Sequence, residues 1–318
     1  MHTRKLGKSD IAVAPICFGG NVFGWTADEA TSFSLLDRFV EGGGNFIDTA
    51  DVYSRWVEGN SGGESETIIG RWLKKKGGRD KVVIATKVGM DMGDGKVGLA
   101  PKYIARAVEA SLKRLQTDYI DLYQSHRDDE TVEIEAALEA YAKLIDEGKV
   151  RIIGASNFTA ERLAKALDFA DRDGYPRYQT IQPEYSLYAR KSYEAELEPL
   201  AKERSVSCIG YFSLANGFLT GKYRGEADLT KSKRGERSGA KYLNERGFRI
   251  LTAMDKVARD AETTLARVAL AWLIAKPTVA APIASATSLA QLEDLIAAPS
   301  LELSADQMMI LDEASSGE

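Results

Sequence analysis

Short apolar runs alternate along the 318 residues with longer stretches in which apolar side chains recur at helical spacing. Eight of the short runs predict strands: Ile16–Phe18, Asn45–Asp48, Val82–Lys87, Ile120–Gln124, Ile152–Ala155, Thr180–Gln182, Cys208–Phe212 and Ala280–Ile283. Several are apolar nearly throughout, as parallel strands buried on both faces are. Between the first two, Thr26-Ala27-Asp28-Glu29 suits a capping box. It is followed by a stripe of Phe33, Leu36, Phe39 and Val40 and a stop at Gly42-Gly43-Gly44. Leu138, Tyr141, Leu144 and Ile145 form a second stripe ending at Gly148, and Leu163, Leu167 and Ala170 a third ending near Gly174. Pro101 suits the first turn of a helix running to about Leu115. Phe248–Asp260, Thr264–Ala275 and Ser304–Ser315 predict three more helices.

Eight strand-then-helix units with no Pro/Ser-rich linker predict one α/β domain over residues 1–318, a single (β/α)8 TIM barrel with extra C-terminal helices. A doubly wound sheet is the competing arrangement. Arg4–Leu6 and Ile11–Val13, around Gly7-Lys8-Ser9-Asp10, predict an N-terminal hairpin that plugs the bottom of the barrel. Gly221–Gly247 breaks the rhythm as a long loop rich in Lys222, Arg224, Lys231, Lys233, Arg234, Arg237, Lys241 and Arg246. It reads either as a solvated surface or as a cover over an anionic ligand.

Composition narrows the function. Hydrophobic residues make up 44% and charged residues 28%, so disorder is not the main feature. Forty-two basic against 47 acidic residues leave a net charge of −5, which argues against nucleic acid or an anionic membrane as the main partner. No apolar run reaches the roughly 20 residues of a membrane helix, and the start is polar rather than signal-like. Cys17 and Cys208 lie in apolar runs and read as buried thiols in a reducing cytoplasm. Of two histidines, His2 is terminal, which excludes imidazole-cluster zinc chemistry; no metal site is expected.

In such a barrel the reacting groups stand at the C-terminal ends of strands. Asp48 ends the second predicted strand and Tyr53 follows in its loop; Lys87 ends the third; His126 lies just past the fourth. A free phenol is a poor acid at neutral pH, and a neighbouring ammonium is expected to lower its pKa. A carboxylate paired to that lysine fixes it, and an imidazole N–H can orient a carbonyl oxygen beside the phenol. Such a tyrosine could protonate a forming oxyanion, provided a hydride donor is present. Lys87 as the Schiff-base nucleophile of an aldolase is a competing reading that needs no nicotinamide.

Phe46-Ile47-Asp48-Thr49-Ala50-Asp51-Val52-Tyr53, Gly63-Glu64-Ser65-Glu66, Ala85-Thr86-Lys87, Asp118–His126 and Ile153–Phe158 together resemble the aldo-keto reductase superfamily. The branch is the bacterial one that includes relatives of potassium-channel β subunits, and the likeness runs from about Arg4 to Ala297. The resemblance implies an NAD(P)H-dependent reductase of aldehydes or ketones with a tetrad of Asp48, Tyr53, Lys87 and His126. The alternative is a nicotinamide-binding regulatory subunit.

By the same resemblance Ser156, Asn157 and Gln182 would hold the nicotinamide carboxamide and Tyr211 would stack on its ring. Gly20, Asn21 and Asp48 would border the cofactor. Ser213, Leu214, Gly217, Leu219, Gly221 and Lys222 would follow the pyrophosphate, with Ser285, Thr287, Gln291 and Asp294 at the adenosine end. The family's common basic residue after the last strand is missing: Pro282–Ser288 carries no Lys or Arg. The family default tips the choice towards NADP(H) over NAD(H). Asn21, Phe23, Trp25, Trp56, Arg127 and Tyr188 are rim positions; of these Trp25, Trp56 and Arg127 are the expected substrate contacts. Gly93-Asp94-Gly95-Lys96-Val97-Gly98 matches a dinucleotide GxGxxG, but the expected helix starts only later, at Pro101, so it reads as a rim loop.

Overall fold

The apolar runs pair side by side, all in one direction. The computed structural model describes residues 2–317, and among them are ten strands and twelve α-helices. The strands are β1 (Arg4–Lys5), β2 (Ala12–Val13), β3 (Cys17–Gly19), β4 (Phe46–Asp48), β5 (Val83–Val88), β6 (Ile120–Ser125), β7 (Val150–Ser156), β8 (Tyr178–Gln182), β9 (Ser207–Cys208) and β10 (Ile283–Ala284). The helices are α1 (Glu29–Glu41), α2 (Glu64–Lys76), α3 (Pro101–Leu115), α4 (Ile134–Asp146), α5 (Ala160–Asp173), α6 (Lys191–Glu194), α7 (Leu197–Arg204), α8 (Lys233–Ser238), α9 (Glu245–Asp260), α10 (Leu265–Ile274), α11 (Leu289–Ala297) and α12 (Ala305–Ser315).

Eight strands form a parallel ladder in the order β10-β3-β4-β5-β6-β7-β8-β9. The ends of the ladder meet: Cys208 bridges Val279 in parallel, and Ala280 and Ile283 donate backbone hydrogen bonds to Cys208 (2.9 Å) and Gly210 (2.8 Å). This closure is what a (β/α)8 barrel has and a doubly wound sheet lacks. The predicted strand over Cys208–Phe212 is observed as Ser207–Cys208, with a single further parallel bridge from Tyr211 to Glu184 before the chain turns at Phe212 (φ +53°).

Side chains two apart along a strand share a face. Cys17, Phe46, Val83, Ala85, Leu122 and Ile209 therefore fill the barrel interior, where Leu6, Ile11 and Val13 of the β1–β2 hairpin join them as a plug from below. The outward residues, among them Phe18, Ile47, Ile84 and Tyr123, form the larger core under the helices. At the β7–β8 irregularity Gly154 is obligatory, since a Cβ there would overlap Thr180 Oγ1.

The helices begin at side-chain caps. Asp28, not Thr26, caps α1 by accepting from Thr31 N (2.8 Å), because the helix starts at Glu29 and Asp28 is the residue directly before it. Thr159, Thr264 and Ser304 cap α5, α10 and α12, the last in a capping box with Gln307. The stretch Gly221–Gly247 is not one long loop. It folds into 3-10 turns at Glu226–Lys231 and Ala240–Tyr242, with α8 between them, and α9 starts at Glu245 because Asn244 caps it. The buried Tyr223 and Tyr242 hold it down. No described helix is long and apolar enough to cross a membrane.

Candidate active site

Continuing the alternation upward from Phe46, Ala85, Leu122 and Thr180 puts Asp48, Lys87, Gln124 and Gln182 in one layer at the top of the barrel interior. Strand register brings them together, with Asp48 beside Ala85 and Lys87 beside Gln124. Lys87 Nζ donates to Asp48 Oδ2 (2.6 Å), Thr49 O (2.8 Å) and the Tyr53 hydroxyl (2.9 Å). Three acceptors for three N–H groups describe an ammonium, not the free amine a Schiff base needs. Asp48 Oδ1 accepts from Gln182 Nε2 (3.0 Å) and Gln124 Nε2 (3.3 Å), so the buried carboxylate has partners on both oxygens. Neither Lys87 nor Asp48 is exposed to water by more than 1%. Gln124 went unnoticed as a site residue in the sequence, although its place two residues after Leu122 put it on the interior face.

Tyr53 arrives from the loop after β4. Thr49 N donates to Ala85 O (2.8 Å), and the buried Ser54, at φ +70°, donates its hydroxyl to Phe23 O (2.7 Å), so the loop is pinned on both sides of the ring. The phenol lies 3.3 Å from Asp48 Oδ2, and its ring stands edge-on to the half-buried His126, centroids 6.0 Å apart. The expectation of an acidified phenol is corrected here. Burial, then the Asp48 charge and its hydrogen bond, push the Tyr53 pKa well up, because Asp48 offsets the ammonium beside it. The hydroxyl keeps its proton. His126 goes the other way: burial, Lys87 and Arg127 hold its pKa well below the usual imidazole range, so the ring is neutral. Its Nδ1 is buried with no hydrogen-bond partner among the described residues. Cys17 and Cys208 are the buried free thiols expected, and burial raises both.

Around this cluster, Ser156 Oγ donates to Gln182 O (2.8 Å), and the Asn157 amide donates to His126 O (2.9 Å) and Ser156 Oγ (3.0 Å). Tyr211 OH donates to Asn157 Oδ1 (2.9 Å). Gln182 thus serves Asp48 through its side-chain amide and Ser156 through its backbone carbonyl. The 213–222 segment winds through positive φ at Ala215, Asn216 and Gly217. A Cβ on Gly217 would come 2.9 Å from Lys222 Nζ, so the missing side chain lets the amine lie along the backbone. Ser213 bonds Gly210 O (3.1 Å), Leu219 is buried, Gly221 ends the turn at φ +76°, and Leu214 packs beneath.

Gly20 O receives the Ser65 hydroxyl (2.7 Å), and Asn21 Oδ1 receives Ser285 Oγ (2.6 Å). Thr287 N donates to Gln291 Oε1 (2.9 Å) at the start of α11. Asp294 is occupied by Arg267 Nε (2.8 Å), a cation from α10 that the local segment does not contain. Of the rim residues, Trp25 and Trp56 meet edge-on at 5.7 Å, and Trp56 stands 6.1 Å from the Tyr53 ring. Arg127 is exposed beside His126. Phe23 is instead core, packed on Phe18 at 5.5 Å, and Tyr188 packs on Tyr242 at 4.8 Å. The GxGxxG stretch is a tight turn between β5 and α3, with Lys96 N bonded to Gly93 O (3.0 Å), away from any helix start.

The aldo/keto reductase family pattern matches residues 15–316, nearly the whole barrel. The chain belongs to the aldo/keto reductase family. A Bacillus subtilis relative named uncharacterized oxidoreductase YrpG is 35% identical over 325 aligned positions, covering 100% of this chain and 97% of the relative. A probable voltage-gated potassium channel subunit beta of Arabidopsis thaliana is 32% identical, covering 92% of this chain and 90% of that protein. Norsolorinic acid reductase of Aspergillus flavus is 30% identical, over 98% of this chain and 80% of that protein. Membership of this family, with relatives named as oxidoreductases, supports a general oxidoreductase role for the chain.

Proposed function

We propose that the chain is an NAD(P)H-dependent carbonyl reductase in which Tyr53 is the general acid, working as one catalytic domain. The observation that carries this is the Tyr53 hydroxyl, protonated yet 2.9 Å from the Lys87 ammonium. The residues at the rim fit a dinucleotide: Ser156, Asn157 and Tyr211 line one side, and the Gly217 backbone with Lys222 offers a cradle for phosphate. The adenosine end would meet Ser285, Thr287 and Gln291. A dihydronicotinamide, when bound, supplies the hydride.

The rest is the work of side chains. A substrate carbonyl oxygen between Tyr53 and His126 accepts hydrogen bonds from the phenol and from the neutral imidazole. As negative charge gathers on that oxygen, Tyr53 passes it the phenolic proton. The phenolate left behind is stabilised by Lys87, while Asp48, held by Gln124 and Gln182, keeps the ammonium in place. In reverse, the phenolate takes the proton of an alcohol. General acid catalysis of this kind is worth about 10²–10⁴-fold.

A panel of aldehydes and ketones with NADPH and with NADH, followed by loss of dihydronicotinamide absorbance, tests the proposal. Turnover of at least one carbonyl is expected. Dinucleotide binding without turnover of any of them would favour the regulatory reading, suggested by the likeness to a protein named as a channel β subunit.

A further inference from the structure

The Asp48 carboxylate meets two demands at once. Its Oδ2 takes the Lys87 ammonium at 2.6 Å and also lies 3.3 Å from the Tyr53 hydroxyl. Lys87 donates to the phenolic oxygen at 2.9 Å, so the one phenolic proton is left to choose between Asp48 Oδ2 and a substrate oxygen. The carboxylate that steadies the cation therefore competes for the proton that the reaction transfers. The other titratable groups acting on the phenol are Lys87 from β5, Cys17 from β3, His126 from the loop after β6 and Arg234 from α8.

The competition is relieved at Oδ1. Gln182 Nε2 reaches that oxygen at 3.0 Å and Gln124 Nε2 at 3.3 Å. A carboxylate only accepts, so both amides must turn their NH2 groups towards it. That orientation leaves Gln124 Oε1 to accept the second N–H of Gln182 (3.1 Å), and the two amides lock each other. Gln124 is fully buried, in register with Lys87 on one side and Gly154 on the other. A Cβ on Gly154 would come within 3.1 Å of the Gln124 stem, so the glycine makes the room that the long side chain fills.

We propose that Gln124 is a positioning residue for proton transfer, tethering Asp48 through Oδ1 and so leaving the Tyr53 proton to the substrate. This rests on the reductase reading, in which Tyr53 is the donor. Two donors at Oδ1 draw charge away from Oδ2 and fix the carboxylate plane. The contact between Oδ2 and the phenol then stays at 3.3 Å, long for an O–H···O bond. Without Gln124 the carboxylate turns more of its charge on the phenol, the hydroxyl bonds inward, and Tyr53 becomes a weaker acid.

The test compares single-turnover reduction of a carbonyl by wild type, Gln124→Met and Gln124→Glu from about pH 5 to about pH 9. Gln124→Met keeps the reach and loses the amide; it should be about three- to tenfold slower throughout. Its NADPH affinity should hold, because Gln182 keeps its bond to Asp48. In Gln124→Glu the new carboxyl, while protonated, still gives Asp48 a donor and Gln182 an acceptor; once ionised it sets a second negative charge beside Asp48. That variant should run near the wild-type rate at the acidic end and lose it as pH rises. A wild-type rate in Gln124→Met, or equal loss in both variants at every pH, overturns the proposal. Melting temperatures need no turnover. Gln124→Met should lower that of wild type by about 2 °C or more, and that of Asp48→Asn by less than half as much. Equal drops in both backgrounds overturn the tether whether or not any carbonyl is reduced. A smaller drop in Asp48→Asn supports it, and absence of turnover beside that result would count against the reductase reading alone.

Discussion

Asp51 is a carboxylic acid with too little to offset its charge. It lies two residues before Tyr53, 3% exposed, with Oδ1 lacking a hydrogen-bond partner among the described residues. Burial and the neighbouring Glu66 carboxylate raise its pKa from 3.8 to about 8, against the opposing pull of Arg114, the Val52 amide and Lys87. The folded protein therefore keeps a proton that the unfolded chain releases near pH 3.8. Stability from this group is fully present below that pH, falls as pH rises, and stops falling beyond about 8. A raised pKa of this size corresponds to roughly 6 kcal/mol over the window. Asp51→Asn removes the titration, although its amide adds a constant burial cost of about 1–3 kcal/mol. The slope is thus the informative quantity. In urea unfolding across that window, the stability of Asp51→Asn relative to wild type should rise by several kcal/mol from the acidic to the basic end. Parallel pH profiles for the two proteins would refute the assignment of a neutral Asp51.

Three further outcomes follow from the same packing. Lys87→Met leaves the Asp48 carboxylate buried without its cation, and unfolding experiments should show a loss of about 3–5 kcal/mol. Gly154→Ala forces a methyl against Thr180 Oγ1 and the Gln124 stem; a loss of about 1–3 kcal/mol, with a lower melting temperature, is expected. Thr287→Arg, which adds a cation near the start of α11, should strengthen NADPH relative to NADH in binding titrations; unchanged relative affinities would reject a 2′-phosphate site there.

Much of the fold can be read directly from the chain. The eight apolar runs and the Gly and Pro stops are local signals, and the hairpin follows from two short apolar segments, ending at Leu6 and starting at Ile11, around Gly7-Lys8-Ser9-Asp10. Asp48, Tyr53, Lys87 and His126 stood out because strand ends converge in a closed barrel. What escaped was set by contacts between distant segments. The protonation of Tyr53 depends on how closely Asp48 approaches both it and Lys87. Arg267 reaches Asp294 from another helix. Arg234 looked like one of eight surface cations until the caps at Ser232 and Asn244 folded its segment over the mouth. Phe23 has the aromatic character of a rim, and only packing shows it to be core.

The most direct measurement is a single-turnover rate for Tyr53→Phe mixed with NADPH and a carbonyl that wild type reduces. Proton donation by Tyr53 predicts a fall of about 10²–10⁴-fold with dinucleotide affinity and melting temperature unchanged. A variant that still turned over within about threefold of wild type would contradict it, and another group would have to protonate the oxygen.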